Sequence, residues 1–396
     1  MSLYTAMMTV ALNTRVYYNL RVEDLSQVRT VLFIQVLHSF VSGVLTIVLP
    51  LMMKERNIDI VVMGFVFASF PLIMQFGRML FATFSDFYGR KPFFISNGLL
   101  GVVSSLIYYF AHAPVEFLFG KIMEGTKEGA IWAVNRPFLL EKSGGHWRIL
   151  VYLRAVMYIA FAVGSLLTGF FVIWFLYEGT MTLCALIGVF GVFLSLTLTS
   201  RRKKRFSMKE ALHFLDFRKK KRLFKIFLIL FFTLGLSYGF RGGFVIPMFL
   251  DGHGFATETI GLVFGAQILL AGIFSYVFSK SSRMRELILL SGVLYSVTFF
   301  LLGFLSPVLA SVLLIAYGFV EGMTCIGQEG ILARVTDKNS YGTDIGLLMM
   351  GLHIGEALSL ALSGLLISIW GFVAPFLLTA FAYTIFCVTS YFILSE

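Results

Sequence analysis

Side chains able to do chemistry lie in this sequence inside long apolar runs. Glu124 and Glu128 are four residues apart in a run that also holds Lys121 and Lys127. A helix places both carboxylates on one face, with Lys121 a turn earlier on the same stripe. Glu321 and Glu329 are eight apart, again one helical face, with Cys325 between them. Glu356 falls mid-run with no Lys or Arg on its own segment, and Arg154 is the expected counter-ion from another run. A charge at the centre of a bilayer costs at least about 2.5–3.5 kcal/mol, so such residues pair or do work.

Two chemistries fit these groups. Burial raises a carboxylate pKa and a nearby base lowers it, so a motion that wets and dries the site loads and unloads a proton. Glu124, Glu128, Glu321, Glu329, Glu356 and His38 are the candidates for that role. A Lys121–Glu124 or Lys121–Glu128 pair is the bland alternative, as is a hydrogen-bonded packing role for His38. The bases can instead hold an anionic group. Lys121, Arg154 and Arg241, with Gln35, Tyr238 and Gln267, are the candidate contacts for a bound solute, and Gln75 and Arg78 add to them. Gln35, His38, Ser39 and Ser42 form one polar stripe. Acids and bases nearly balance, which leaves the charge sign of the solute open.

The elements that carry these residues follow from composition. The chain has 396 residues, 58% hydrophobic and 13% charged, against about 25% charged in soluble domains. Its apolar residues form runs long enough for membrane-crossing helices rather than alternating barrel strands. Twelve spans are expected, at 28–53, 59–84, 93–112, 115–140, 148–175, 179–199, 222–250, 257–279, 286–305, 308–334, 343–369 and 372–394. The net charge of +11 is concentrated in short loops, above all between Arg201 and Lys225, where twelve Lys/Arg meet two acids. That is the pattern of positive charge kept on one membrane side, not a nucleic-acid footprint. Loops after even-numbered spans are basic, so both termini are expected in the cytoplasm and the protein in the cell membrane.

Cys184, Cys325 and Cys387 all lie in apolar runs and give no disulfide framework and no metal spacing. No compact catalytic constellation occurs, so an enzyme is not expected, nor a cofactor, nor a metal.

The basic segment divides the chain in two, and a shift of 197 residues relates the halves. It carries Pro50 onto Pro247, Gly64 onto Gly261, and Glu124-Gly125 onto Glu321-Gly322. The expected organisation is a cytoplasmic extension at 1–27, a six-helix bundle at 28–199, a basic linker at 200–221 and a second six-helix bundle at 222–396. Such halves face each other across a central cavity.

Between the second and third spans stands Ala82-Thr-Phe-Ser-Asp86-Phe-Tyr-Gly89-Arg90-Lys91. This turn resembles the signature loop of the major facilitator superfamily, G-x-x-x-D-(R/K)-x-G-R-(R/K), with Asp86, Gly89, Arg90 and Lys91 in register. Ala82 replaces the leading Gly and Phe87 the first base. The resemblance implies an all-α membrane protein of twelve helices in two pseudo-symmetric bundles, with a midplane site and alternating access. It also implies a gate, with Asp86 set against the N-terminus of the eleventh span, where a carboxylate is worth about 0.3–1 kcal/mol when exposed. Arg136 is the expected substitute partner for Asp86. Lys121 and Gly125 stand where proton-coupled members have R-x-x-x-G. Ala162 to Gly169 matches the antiporter pattern G-P-x-x-G-G only in part, with Ser165 in the place of Pro.

The expected function is secondary transport of a small organic solute by a monomer in the lipid bilayer, coupled to protons, with efflux of amphipathic compounds as the lean. The alternatives are a uniporter or organic-anion exchanger using the intramembrane bases, and more remotely a receptor on the same fold.

Overall fold

The computed structural model describes residues 22–143, 148–199, 220–279, 281, 283–336 and 341–394. Most of the expected extension and linker lie outside them. The described chain runs through twelve helical elements: α1 (Val22–Glu55), α2 (Ile60–Tyr88), α3 (Lys91–Phe110), α4 (Pro114–Lys142), α5 (Arg148–Leu196), α6 (Arg222–Arg241), α7 (Val245–Gly252), α8 (Thr257–Phe278), α9 (Met284–Leu302), α10 (Pro307–Val335), α11 (Tyr341–Trp370) and α12 (Val373–Ile393).

Among the described residues, ten helical segments are long and apolar enough to cross a membrane. The central charges of α4 keep it out of that set. The apolar part of α5 has 45 residues, about 67 Å of helix and enough for two crossings. It breaks at Leu176, whose φ of 58° and ψ of −177° are non-helical. The leg before the break packs on α1 and the leg after it on α3. The fifth and sixth spans are therefore legible inside one element. The seventh span departs from expectation in the other direction. It divides into α6 and α7 at Gly242–Phe244, where Gly243 adopts a φ of 54° that side chains rarely tolerate. α1 also starts earlier than position 28, at Val22.

Helix pairings repeat between the halves. α1 packs on the first leg of α5 as α6 packs on α11; α2 on α4 as α8 on α10; α3 on the second leg of α5 as α9 on α12. Small residues permit these close crossings. A Cβ on Gly43 would lie 2.2 Å from the Phe161 carbonyl oxygen, and one on Gly235 1.9 Å from that of Leu352. The halves meet through α2 against α11 and the first leg of α5 against α8. The repeat-related Gly64 and Gly261 sit at these two interfaces. Their added Cβ atoms would approach the Leu360 and Ser165 carbonyl oxygens to 2.9 and 2.6 Å.

One end of the molecule carries the Asp86–Lys91 turn and is here called the basic end. A continuous apolar core joins the far end of the first half to the second half, with Phe67 and Phe244 rings 5.5 Å apart. A separate core, including Val31, Phe94, Phe138 and Leu153, fills the basic end of the first half. The halves thus share a continuous apolar core at the far end, whereas the core at the basic end of the first half stays within that half.

Candidate functional site

Each of the five intramembrane glutamates meets one basic side chain: Glu124 with Lys121 at 2.9 Å, Glu128 with His38 at 2.9 Å, Glu321 with Arg241 at 3.4 Å, Glu329 with Arg154 at 2.7 Å, and Glu356 with His353 at 2.9 Å. The pairs differ in how firmly they are held, and those differences separate structural charges from movable ones.

The first half holds two buried pairs on α4. Glu124 takes Lys121 and also accepts from the Tyr108 hydroxyl at 2.6 Å. The Lys121 ammonium lies 4.5 Å from the Phe67 ring centroid. One turn on, Glu128 accepts from Ser42 and from the Trp132 indole N–H, both at 3.0 Å, besides His38. The tautomer of His38 follows from its neighbours. Asn97 Nδ2 donates to the Lys127 carbonyl at 3.0 Å and also reaches His38 Nδ1 at 3.1 Å. Only an N–H can face that carbonyl, so Nδ1 accepts, and Nε2 carries the proton given to Glu128. Both ring nitrogens are occupied. Gln35 donates to Ser39 and accepts from Asn135, each at 3.0 Å, and is likewise committed.

In the second half Arg241 ends α6 at the break in the seventh span. Its guanidinium lies 5.0–5.9 Å from the ring centroids of Tyr238, Tyr295, Phe299 and Tyr317. Its Nε donates to the Tyr295 hydroxyl at 2.8 Å. Gln267 donates to Glu321, and Gln328 to the Tyr238 hydroxyl. Arg241 is therefore enclosed by aromatic faces and a carboxylate. Glu356, on α11, has His353 as its side-chain partner and is more open, with side-chain exposures of 25% and 13% for the two.

Arg154 and Glu329 belong to opposite halves, one on α5 and one on α10, and their side chains are 34% and 40% exposed. Beside them the Tyr158 hydroxyl and Cys325 thiol meet at 2.9 Å. Arg154 thus pairs with Glu329, not with Glu356 as the sequence suggested. The helix rotations that decide this are set by tertiary packing. At the far end Lys54 pairs with Asp251. These two are the ion pairs that join the halves among the described residues.

The signature turn is placed as follows. Gly89 stops α2 with a φ of 81°. Arg90 donates from Nε and from its terminal nitrogen to Glu141, at 3.1 and 2.6 Å, and stands 3.7 Å from Asp86. Lys91 donates to the Leu196 carbonyl at 2.5 Å, near the C-terminus of α5. The Asp86 side chain is 58% exposed. Among the described residues no hydrogen bond or ion pair joins it to α11, whose first turn holds Asp344 paired with Lys220 at 2.5 Å. The expected seat for Asp86 already has a carboxylate in this conformation. Arg136, offered as its partner, lies instead 5.3 Å from the Trp132 ring centroid.

Sequence reasoning passed over Trp132, Tyr108, Asn97 and Tyr295. Trp132 had a readable signal, since it continues the Glu124, Glu128 stripe by four residues. Tyr108 and Tyr295 reach their partners from other helices, which no spacing reveals. No group of His, Cys, Asp and Glu among the described residues could hold a metal ion.

Comparison with known proteins places this arrangement. The family model described as Major Facilitator Superfamily matches residues 31–343. No curated protein matches the chain. Among solved structures, the nucleoside transporter NupG superposes with a TM-score of 0.75 at 15% identity, covering 95% of this chain and 100% of its own. The human organic anion transporter MFSD10 (TETRAN) gives 0.65 at 15%, covering 92% and 99%. Identities at that level establish a shared fold.

Proposed function

Because the chain belongs to the Major Facilitator Superfamily, we propose that it is a secondary active transporter moving a small organic solute by alternating access, with proton movement coupled through Glu356. One observation carries the assignment to Glu356. Of the five glutamate–base pairs, only two have a histidine partner, and the His38–Glu128 pair is enclosed by Asn97, Ser42 and Trp132. The His353–Glu356 pair is the more open of the two. Both of its members change charge by taking one proton, whereas a Lys or Arg partner keeps its own.

Position supports the same reading. α11 packs on α6 in its own half and on α2 in the other. A rocking motion of the halves therefore changes the surroundings of α11. Wetting favours the charged carboxylate and drying the neutral one, so the cycle can load a proton at one face and release it at the other. Arg154–Glu329 and Lys54–Asp251 then act as the ionic fasteners of the two ends. The basic end faces the cytoplasm in this reading, following the Lys and Arg of its loops.

The test is proton movement into proteoliposomes loaded with a pH-sensitive dye. The panel comprises sugars, carboxylates, amino acids, nucleosides and lipophilic cations. At least one class should move protons with the wild type, and Glu356→Gln should abolish that movement. A response unchanged in Glu356→Gln would sink the assignment.

A further inference from the structure

The five glutamate–base pairs are not equally tight, and the loosest carries spare bonding capacity. Glu124 and Glu321 are repeat-related, yet Glu124 is buried with Lys121 at 2.9 Å and the Tyr108 hydroxyl at 2.6 Å. Glu321 meets Arg241 at 3.4 Å, the longest of the five separations, and both residues are partly exposed. The first-half position is closed on itself, and the second-half position is open.

Four groups around Arg241 and Glu321 keep unused hydrogen-bonding capacity among the described residues. Arg241 gives Nε to Tyr295 and one terminal nitrogen to Glu321, which leaves the other terminal nitrogen without an acceptor. The Tyr317 hydroxyl is buried without a partner, on a ring whose centroid lies 5.3 Å from the Arg241 guanidinium carbon. Arg241 and Glu321 are its charged neighbours. Gln267 donates its amide N–H to Glu321, and Gln328 donates to the Tyr238 hydroxyl, so both amide oxygens remain open acceptors. The spot thus presents two donors and two acceptors that the protein does not use. They come from α6, α8 and α10, and α8 is the helix that meets α5 across the boundary between the halves.

Charge decides what kind of solute suits these groups. Arg241 and Glu321 already neutralise each other. A charged solute would leave one of them unmatched, at a depth where a lone charge costs at least about 2.5–3.5 kcal/mol. A hydroxyl both donates and accepts, so neighbouring hydroxyls match a mixed set of donors and acceptors without adding charge. The rings of Tyr238, Tyr295, Phe299 and Tyr317 around the guanidinium are the apolar walls usual where a few convergent polar groups orient a small molecule.

We propose that Arg241, Gln267, Tyr317, Glu321 and Gln328 seat the transported solute, and that this solute is an uncharged polyhydroxylated compound. This assignment of a substrate class rests on the transporter reading above and is independent of the coupling role of Glu356.

The experiment measures equilibrium binding by thermal shift and calorimetry on the full chain in nanodiscs of zwitterionic lipid, with no pH gradient. The probes are glucose, myo-inositol and uridine, each beside an anionic counterpart: glucuronate, inositol phosphate and uridine monophosphate. At least one uncharged probe should stabilise the wild type, and its anionic counterpart should bind at least tenfold more weakly. Tyr317→Phe removes a hydroxyl that has no hydrogen bond among the described residues, so the variant should melt like the wild type. It should nevertheless bind the same probe roughly fivefold more weakly, the scale of one neutral hydrogen bond. The comparison of each probe with its anion needs no variant. No response to any of the three, an anion that binds as tightly as its uncharged counterpart, or an unchanged affinity in Tyr317→Phe overturns the proposal. Proton movement with carboxylates but not with these probes would overturn it too and leave the coupling reading standing. Probe binding intact with proton movement unchanged in Glu356→Gln would sink the coupling reading alone.

Discussion

Arg154 on α5 and Glu329 on α10 meet at 2.7 Å across the boundary between the two halves, with both side chains about a third exposed. In the alternating-access cycle proposed above, the two bodies separate at the basic end, and this pair would form and break once per cycle. Partly exposed pairs contribute only about 1 kcal/mol or less to stability. Arg154→Glu and Glu329→Arg should each reduce uptake roughly tenfold, the scale of about 1.4 kcal/mol, with little change in melting temperature. The double charge reversal should recover most of it, as uptake assays on the three variants would report. Additive losses in the double variant would show that the two charges act separately.

The signature turn divides into a bonded part and an exposed part. Arg90 is buried and doubly bonded to Glu141, while Asp86 is largely exposed. Arg90→Ala should lower stability by about 1–3 kcal/mol, the range for a charged hydrogen bond left unmade. Asp86→Ala should slow turnover and leave both stability and solute binding intact. Melting curves and binding isotherms distinguish the two. Loss of binding in Asp86→Ala would contradict the gating role expected of the turn.

Glu128 and Glu356 offer a matched comparison, each a glutamate facing a histidine. Glu128→Gln puts an amide where Ser42, Trp132 and His38 all donate, so at least one donor loses its acceptor oxygen. Stability should fall by about 1–3 kcal/mol. Glu356→Gln has fewer partners to disappoint and should melt close to the wild type. The reverse order in a detergent melt would exchange the roles given to the two pairs.

Helix crossings give a prediction free of charge. Gly235→Ala would place a Cβ 1.9 Å from the Leu352 carbonyl oxygen, whereas a Cβ at Gly191 meets nothing within 4 Å. Overpacking of this kind costs about 1–3 kcal/mol, and Ala is favoured over Gly in an open helix by about 1 kcal/mol. Gly235→Ala should therefore melt lower than the wild type and Gly191→Ala no lower.

These contrasts also show what the residues disclosed in advance. The Glu-Gly dipeptides at 124–125 and 321–322 were visible as a repeat, and the structure gives the cause. Gly125 seats α4 on α2 and Gly322 seats α10 on α8, while each Glu takes a base within its half. The Lys121–Glu124 pair was legible because both ends lie on one helix three residues apart. The Arg154–Glu329 pair was not, because its geometry depends on how two distant helices are rotated. The split of the seventh span had its signal in Gly242-Gly243, outweighed by the apolar run around it. The break at Leu176 falls in the gap expected between the spans at 148–175 and 179–199, but the positive φ of a leucine there is imposed by packing and not by preference.

The central claim is that Glu356 carries the coupled proton. Its most direct test follows the internal pH of dye-loaded proteoliposomes as the panel compounds are added, for wild type and Glu356→Gln side by side. The account predicts compound-dependent acidification or alkalinisation in the wild type and none in Glu356→Gln, with the variant still binding the same compound. Proton movement persisting in Glu356→Gln at the wild-type rate would contradict it.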